Sequence, residues 1–580
     1  MHNFLASACG PGHQTPREPE ESAAVSLAFP ASSDACAMSN SGEALVRSEC
    51  LPFRLIPHST PLFLDYLDYG AKIQQFYPRP PHLLEWVQEE ARRIEYGADR
   101  RERVANVLER QNRHWNGSSE TLKNIERLRA GAAAIVTGQQ VALFGGPLFS
   151  ILKALTAVRL AEEATAGGID CVPLFWLATE DHDLEEVNHT WIPGAGGVLQ
   201  RIRSDSRGVE DAPVGSIRFG AEIEQAVGQA ADLLGESEMT DLLRESYRPG
   251  ETLGSAFARL FAGIFHKWGV IQVDASDPEL RRIAQPIYLA AIENAEELDR
   301  KILERGKELE EAGYHQQVKV TPSSTLLFEI RDGRRTAIRR VNGGMFLAGE
   351  EKVTREQLLD KIENMPEGFS PNVLLRPVEE DYLLPTLAYT GGPAEVAYFA
   401  QAGVVFEKLL GRVTPVLPRF SATLVEAKQQ KLLDKYRIKL SDLFHGPEET
   451  RRRLAERALA SGLQEKFERV AKQMQNELYQ LLGELERLDP TLVDAGKHAE
   501  SKIQHQLEQL RARAARAELR KDEDITRHAD TLSAALFPDK GLQEREVAGV
   551  YFLARHGLSL VEQLYEATQT RCPDHQVMYL

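Results

Sequence analysis

The chain has 580 residues, too many for one compact core, so several domains are expected. Apolar residues make up 42% of it, and no uninterrupted apolar run reaches the roughly 20 residues of a membrane helix. A formal net charge of −17 disfavours nucleic acid as a partner, because phosphate binding rests on Lys and Arg displacing counterions. The start, MHNFLASACG, has no basic segment leading into an apolar one, so no signal peptide is expected. The five cysteines include no CxxC pair, which suits a reduced, cytoplasmic setting without disulfides or structural zinc.

Residues 1–50 are rich in Ala, Ser, Pro, Gly and Glu without any period, and a disordered tail is expected there. From Leu51 the chain gains aromatic and aliphatic residues, and 81–129 reads as helices. Ala132 to Val136 is a short apolar run of the kind buried in a parallel sheet. Gly145, Gly146 and Pro147 follow, with Pro suited to the first turn of the next helix. Cys171 to Ala178 reads as the second strand of a right-handed βαβ unit. Thr137-Gly138-Gln139-Gln140 and Thr179-Glu180-Asp181-His182-Asp183 then fall at the carboxyl edge, where such sheets bind ligands.

Small β insertions are expected at about 190–220 and 315–350, the second with a hairpin at Asp332-Gly333. Val270–Val273 reads as a strand, and Asp277-Pro278 as the start of a helix running to about Glu311. The stretch LLRPVEEDYLLPTLAYTGGPAEVAYFAQ repeats the strand–GGP–helix grammar with Gly391, Gly392 and Pro393, placing Arg376 near a strand start. Arg419 follows a last strand, Val413–Leu417. Residues 51–422 thus form the expected core. Residues 423–530 show apolar positions at threes and fours, a helical hairpin of coiled-coil type roughly 60 Å long. Its seam calls for a second subunit, and 531–580 for helices returning to the core.

The acidic cluster carries the chemistry. His182 suits phosphate contact or acid–base work near neutral pH, with Asp181, Asp183 and Glu180 orienting an amine or holding Mg2+. The same acids would also suit a capped helix start. His182 and His189 lack HExxH spacing, so no metal site is assigned. Two GGP helix starts on one edge are expected to bind anionic groups, with Lys153, Arg376 and Arg419 as candidate clamps. Trp176, Asn188, His189, Glu395 and Tyr398 complete the candidate binding set. Neither GxGxxG nor a Walker motif occupies these turns.

TGQQVALFGGPLFSILKA, FWLATEDHDLEEVNH, YHQQV, SPNVLLRPV and YTGGPAEVAYFAQ, in this order and followed by a coiled coil, resemble the BshC family of bacillithiol biosynthesis. The resemblance implies an α/β fold: a Rossmann-type parallel sheet like that of class I nucleotidylyl transferases, with small insertions and an antiparallel coiled-coil domain used for homodimerisation. It also implies a ligase joining L-cysteine to the malyl carboxylate of glucosaminyl-malate. Forming an amide from a free carboxylate needs activation, so ATP or ADP is expected as the nucleotide, with Mg2+ as a candidate ion. The HIGH-type motif of the related transferases is replaced by TGQQ and FGGP. The alternatives are a nucleotidylyl transferase on another small substrate and a non-catalytic nucleotide-binding scaffold.

Overall fold

Five short strands with almost no polar alternation build the centre of the fold: β1 (Ala133–Gln140), β2 (Cys171–Ala178), β3 (Ile271–Asp274), β4 (Thr386–Gly391) and β5 (Val416–Pro418). In the computed structural model, which describes residues 47–580 except 342, 459–460, 520–522 and 571, all their pairings are parallel. Their order is β5-β4-β1-β2-β3. A parallel sheet must be covered on both faces, and β2 and β4 are buried almost throughout. From β1 the chain moves outward one way to β2 and β3, then returns to the other side for β4 and β5. The reversal opens a crevice between β1 and β4 at the carboxyl edge, as in the Rossmann-type order expected.

Local sequence explains how the edge is shaped. β1 continues through Gln140, so Thr137–Gln140 are strand residues rather than a loop beyond it. Gly138 lies so close to β2 that a Cβ would sit 3.0 Å from the Trp176 carbonyl oxygen. Phe144, Gly145 and Gly146 all take positive φ, making a tight turn before helix α1 (Phe149–Ala166). The expected strand at Arg376 is instead a short helix, α2 (Arg376–Leu383), with Pro377 in its first turn. Pro fits there because that turn leaves the N–H unpaired in any case. The second GGP turn leads from β4 into α3 (Pro393–Leu410).

The insertions flank this edge. Residues 189–203 form a two-stranded hairpin, while Ser216–Phe219 makes only an isolated bridge between Arg218 and Thr252. Strands from Ser324 to Pro371 form a five-stranded antiparallel sheet. Its hairpin turns through Asp332 and Gly333, both at positive φ, as the Asp-Gly pair predicts. The helix starting at Pro278 is capped by the Asp277 side chain but stops at Glu293, and a second helix runs Ala295–Glu311.

Residues 1–46, most of the expected tail, lie outside the described residues. Arg47–Leu51 is a strand, paired with His575–Tyr579, which also pairs with Ala422–Val425. This corrects both the tail ending at Cys50 and the all-helical reading after Thr423. Strands this short have too little local pattern to be seen without their distant partners. The helical hairpin is formed by Ser461–Leu488 and Leu492–Leu519, 28 residues each. Each helix is about 42 Å long at 1.5 Å per residue, shorter than expected. No helix among the described residues is long and apolar enough to cross a membrane.

Gly145 tests the turn before α1. Its φ is +81°, and an added Cβ would lie 3.1 Å from Leu260 Cδ2. Gly145→Ala should lower stability by about 1–2 kcal/mol from the left-handed backbone alone. Calorimetry should show a lower Tm; an unchanged Tm would mean the turn tolerates a side chain.

Candidate active site

A cavity of about 870 Å³ opens over the carboxyl ends of β1 and β4. Its floor is Gly138, Gln139 and Gln140 from β1, Trp176 and Ala178 from β2, and Tyr389 from β4. Phe149 and Lys153 of α1 and Gly392, Glu395 and Tyr398 of the second GGP unit form the walls. The antiparallel sheet adds Phe328 and Arg335, and the C-terminal region adds Arg545 and Glu546. The volume and mixed lining suit a small-molecule site.

Most cations here are already neutralised. Lys153 is buried; its Nζ donates to the Gly138 carbonyl and to Gln139 Oε1, both at 2.8 Å, and to Glu395. Glu395 Oε2 also accepts the Gly392 N–H at 2.9 Å. Burial would raise the Glu395 carboxyl, but Lys153 and Arg419 outweigh it and hold it at about 2. Arg419 donates to both oxygens of Glu544, at 3.1 and 2.6 Å, and burial of Glu544 is likewise overcome, leaving its carboxyl at about 2. Arg376 donates to Glu380 at 2.7 Å and to the Tyr398 hydroxyl at 2.8 Å. Burial, opposed by Arg376, pushes Glu380 up to about 7.

Arg335 and Arg545 differ. Arg335 donates only to Ser370 Oγ at 3.0 Å and the Pro371 carbonyl at 2.6 Å, with its guanidinium over the Phe328 ring. Among the described residues, neither arginine has a carboxylate within ion-pair distance.

The acidic cluster is divided by the fold. Glu180 is buried at the cavity lining, where it is held by Arg281, from which it accepts at 2.8 Å. Asp181 faces the cavity and accepts from Gln140 Nε2 at 2.7 Å. His182 is exposed beside it, its Nδ1 3.6 Å from Asp181 Oδ1 and its ring 6.5 Å from that of Phe328, at the rim. Asp183 caps the short helix Leu184–Val187 by accepting the Glu186 N–H, the helix-start role that these acids also suit. Asn188 and His189 sit away from the cavity lining, where His189 contacts Arg201 and burial lowers its pKa.

The GGP turns also depart from expectation. Gly145, Gly146 and Pro147 do not line the cavity: Gly145 packs against Leu260 and Phe261, and Pro147 bridges Ala548. The Leu148 N–H donates to the Val547 carbonyl, so the C-terminal segment covers this helix start. At the second turn only Gly392 faces the cavity, and its N–H is taken by the chain's own Glu395. Gly391 and Pro393 shape the turn, and Thr137 ties β1 to β4 by donating to the Thr390 carbonyl. The anion-binding helix ends are therefore plugged by protein groups. Among the described residues, no group of three or more His, Cys, Asp or Glu could hold a metal ion.

The two-part architecture has its counterpart in a known family. The profile of the bacillithiol biosynthesis BshC N-terminal Rossmann-like domain matches residues 46–420, and that of its C-terminal coiled-coil domain matches 422–580. The chain belongs to the BshC family. A relative from Koribacter versatilis is 50% identical over 533 residues, covering 91% of this chain and 99% of its own. Relatives from Solibacter usitatus and Salinibacter ruber are 36% and 34% identical, covering 90% and 89% of this chain and 98% and 96% of theirs. Each bears the name "putative cysteine ligase BshC". Membership agrees with the expected Rossmann-like core, coiled-coil domain and ligase family.

Sequence reading missed Phe328, Arg335, Asn372, Arg545 and Glu546 of this BshC cavity. Arg335 lies two residues past the Asp332-Gly333 turn, so local sequence shows its hairpin but not the edge it reaches.

The depressed carboxyls set an acid limit. Glu395 and Glu544 drop from 4.5 to about 2 on folding, so their stabilisation is present above pH 4.5 and lost as pH falls towards 2. Each shift corresponds to roughly 3 kcal/mol. Chemical denaturation of the wild type should show stability falling over that window, and Glu395→Gln should have a shallower fall. Equal slopes would show that Glu395 keeps an ordinary carboxyl.

Proposed function

We propose that the chain is a cysteine ligase that joins the amine of L-cysteine to the malyl carboxylate of glucosaminyl-malate, the last step of bacillithiol biosynthesis. The names of its relatives support the reaction class. The observation that carries it to this cavity is the pair of guanidiniums, Arg335 and Arg545, which face the cavity with no carboxylate partner among the described residues. A guanidinium with no carboxylate within ion-pair distance can donate paired hydrogen bonds to a carboxylate or phosphate; Arg335 is half-buried and Arg545 is exposed. Both the malyl group and a nucleotide supply such anions.

A free carboxylate must be activated before an amine attacks it, and ATP is the cosubstrate of this reading. Mg2+ binds through one or two carboxylates together with phosphates, and Asp181 and Glu186 both face the cavity. The attacking amine must shed a proton. Asp181, held by Gln140 and bordered by His182, is the group placed to orient the amine and take that proton. Trp176 in the floor and Phe149 in the wall give the cavity apolar surface that limits water around the reacting carboxyl.

The deciding assay is mass spectrometry of products with glucosaminyl-malate, cysteine and ATP, omitting each in turn. The cysteine adduct should need all three; pyrophosphate release without cysteine would favour nucleotidylyl transfer instead. In the same assay Arg335→Ala should raise KM for glucosaminyl-malate about tenfold, a loss of about 1.4 kcal/mol. Asp181→Asn should lower kcat far more than Asp183→Ala. Equal effects of the two aspartate changes would place the amine elsewhere.

We also propose homodimerisation through the helical hairpin. Leu463, Val470, Leu481, Leu488 and Leu510 are exposed along it, a seam that one hairpin does not bury. Leu481→Lys together with Leu510→Lys should convert a dimer to a monomer by light scattering, and a monomeric wild type would overturn this.

A further inference from the structure

The two ends of the described chain meet in one small sheet, and two thiols meet with them. Cys50 lies on the strand Arg47–Leu51, opposite Gln576 of the antiparallel strand His575–Tyr579. Cys572 precedes that strand, and its Sγ lies 3.3 Å from the Cys50 Sγ across 522 residues of sequence. Both thiols are free; Cys50 is exposed and Cys572 partly so, whereas Cys171 is buried within the central sheet. Gln576 Nε2 donates to both sulfurs, at 3.4 and 3.3 Å. The Phe53 N–H donates to Asp574 Oδ1 at 3.3 Å, a further tie between the same two segments. Two thiols held in contact by a backbone ladder and a shared amide donor need little movement to bond.

We propose that Cys50 and Cys572 form a modification site that reacts with low-molecular-weight disulfides and closes to an intramolecular disulfide. Exchange proceeds by thiolate attack through a mixed disulfide. The accessible Cys50 is the first attacker, because burial and the neighbouring thiol push Cys572 up to about 12. Cys50 Sγ bonds to one sulfur of the small disulfide, the S–S bond breaks, and the departing thiolate takes up a proton equivalent to the one Cys50 released. Cys572 Sγ then displaces the second small thiol from Cys50 and supplies its proton. The protein dithiol is oxidised by two electrons, and the small disulfide is reduced to two thiols.

The bond would lock a sheet that reaches the cavity. His575, on the stapled strand, sits 2.7 Å from Ser421 Oγ and 2.8 Å from Thr423 Oγ1. Ser421 donates to Glu544 at 2.9 Å, and Glu544 holds the cavity-lining Arg419. Closing a loop of this length also restricts the unfolded chain strongly. The disulfide form should therefore melt at a higher temperature than the dithiol form.

The test uses the purified full-length chain treated with oxidised glutathione, blocked with N-ethylmaleimide under denaturing conditions and mapped by non-reducing mass spectrometry. The expected result is a peptide linked through Cys50 and Cys572, reversed by dithiothreitol, with a rise in Tm on oxidation. Cys572→Ser should stop at a glutathione adduct on Cys50, and Cys50→Ser should abolish both the link and the Tm rise. The proposal is overturned if both thiols of the treated wild type still take maleimide, or if Cys50 links to Cys9 or Cys36 instead.

Discussion

A lysine ammonium enclosed by protein must be met by acceptors, and at Lys153 that requirement holds the functional edge together. Removing such an ion from water costs several kcal/mol unless charge and hydrogen bonds replace the hydration. Here the replacement comes from the Gly138 carbonyl and Gln139 of β1 and from Glu395 of α3, while the lysine itself belongs to α1. Glu395 in turn takes the Gly392 N–H. One ion pair thus fixes both strand–turn–helix units against each other across the crevice where the sheet reverses. The Thr137 hydroxyl on the Thr390 carbonyl adds a second tie between the same strands.

Around that pair the charges fall into distinct roles. Lys153, Arg376 and Arg419 each have a carboxylate at hand, so they shape the cavity rather than wait for a ligand. Their partners, Glu395, Glu380 and Glu544, are spread over α3, α2 and the C-terminal region. Arg335 and Arg545 come from outside the sheet and carry the positive potential that remains. At half-buried Arg335 such a potential is screened less than at a fully exposed charge, and the proposed anionic substrates are directed to this pair. The acidic loop after β2 is divided in the same way, with Glu180 committed to Arg281 and Asp181 left facing the cavity.

The strand–GGP–helix repeats were legible because each is a local pattern: an apolar run, a turn that needs glycine, then helical spacing. Their position at one edge followed from the parallel order they imply. What they do there was not legible. Glycine and proline at a helix start fit an anion site and a self-capped turn equally well, and only the approach of Val547 and Glu395 distinguished the two. Asp183 shows the same ambiguity, since a side chain that caps a helix and one that meets a substrate look alike in sequence.

The sequence by itself determined the class of fold, the repeat of two helix starts, the helical hairpin with its apolar seam, and a family resemblance strong enough to name a reaction. These are properties of neighbouring residues, set by propensity and spacing. The tertiary structure alone decided which charges are spent on one another and which remain free, because that depends on side chains brought together from distant segments. Arg419 meets Glu544, Lys153 meets Glu395, and Cys50 meets Cys572 across 522 residues. No periodicity encodes such pairs: the energy that selects them comes from burying the charge or closing the sheet, which exists only once the chain is folded.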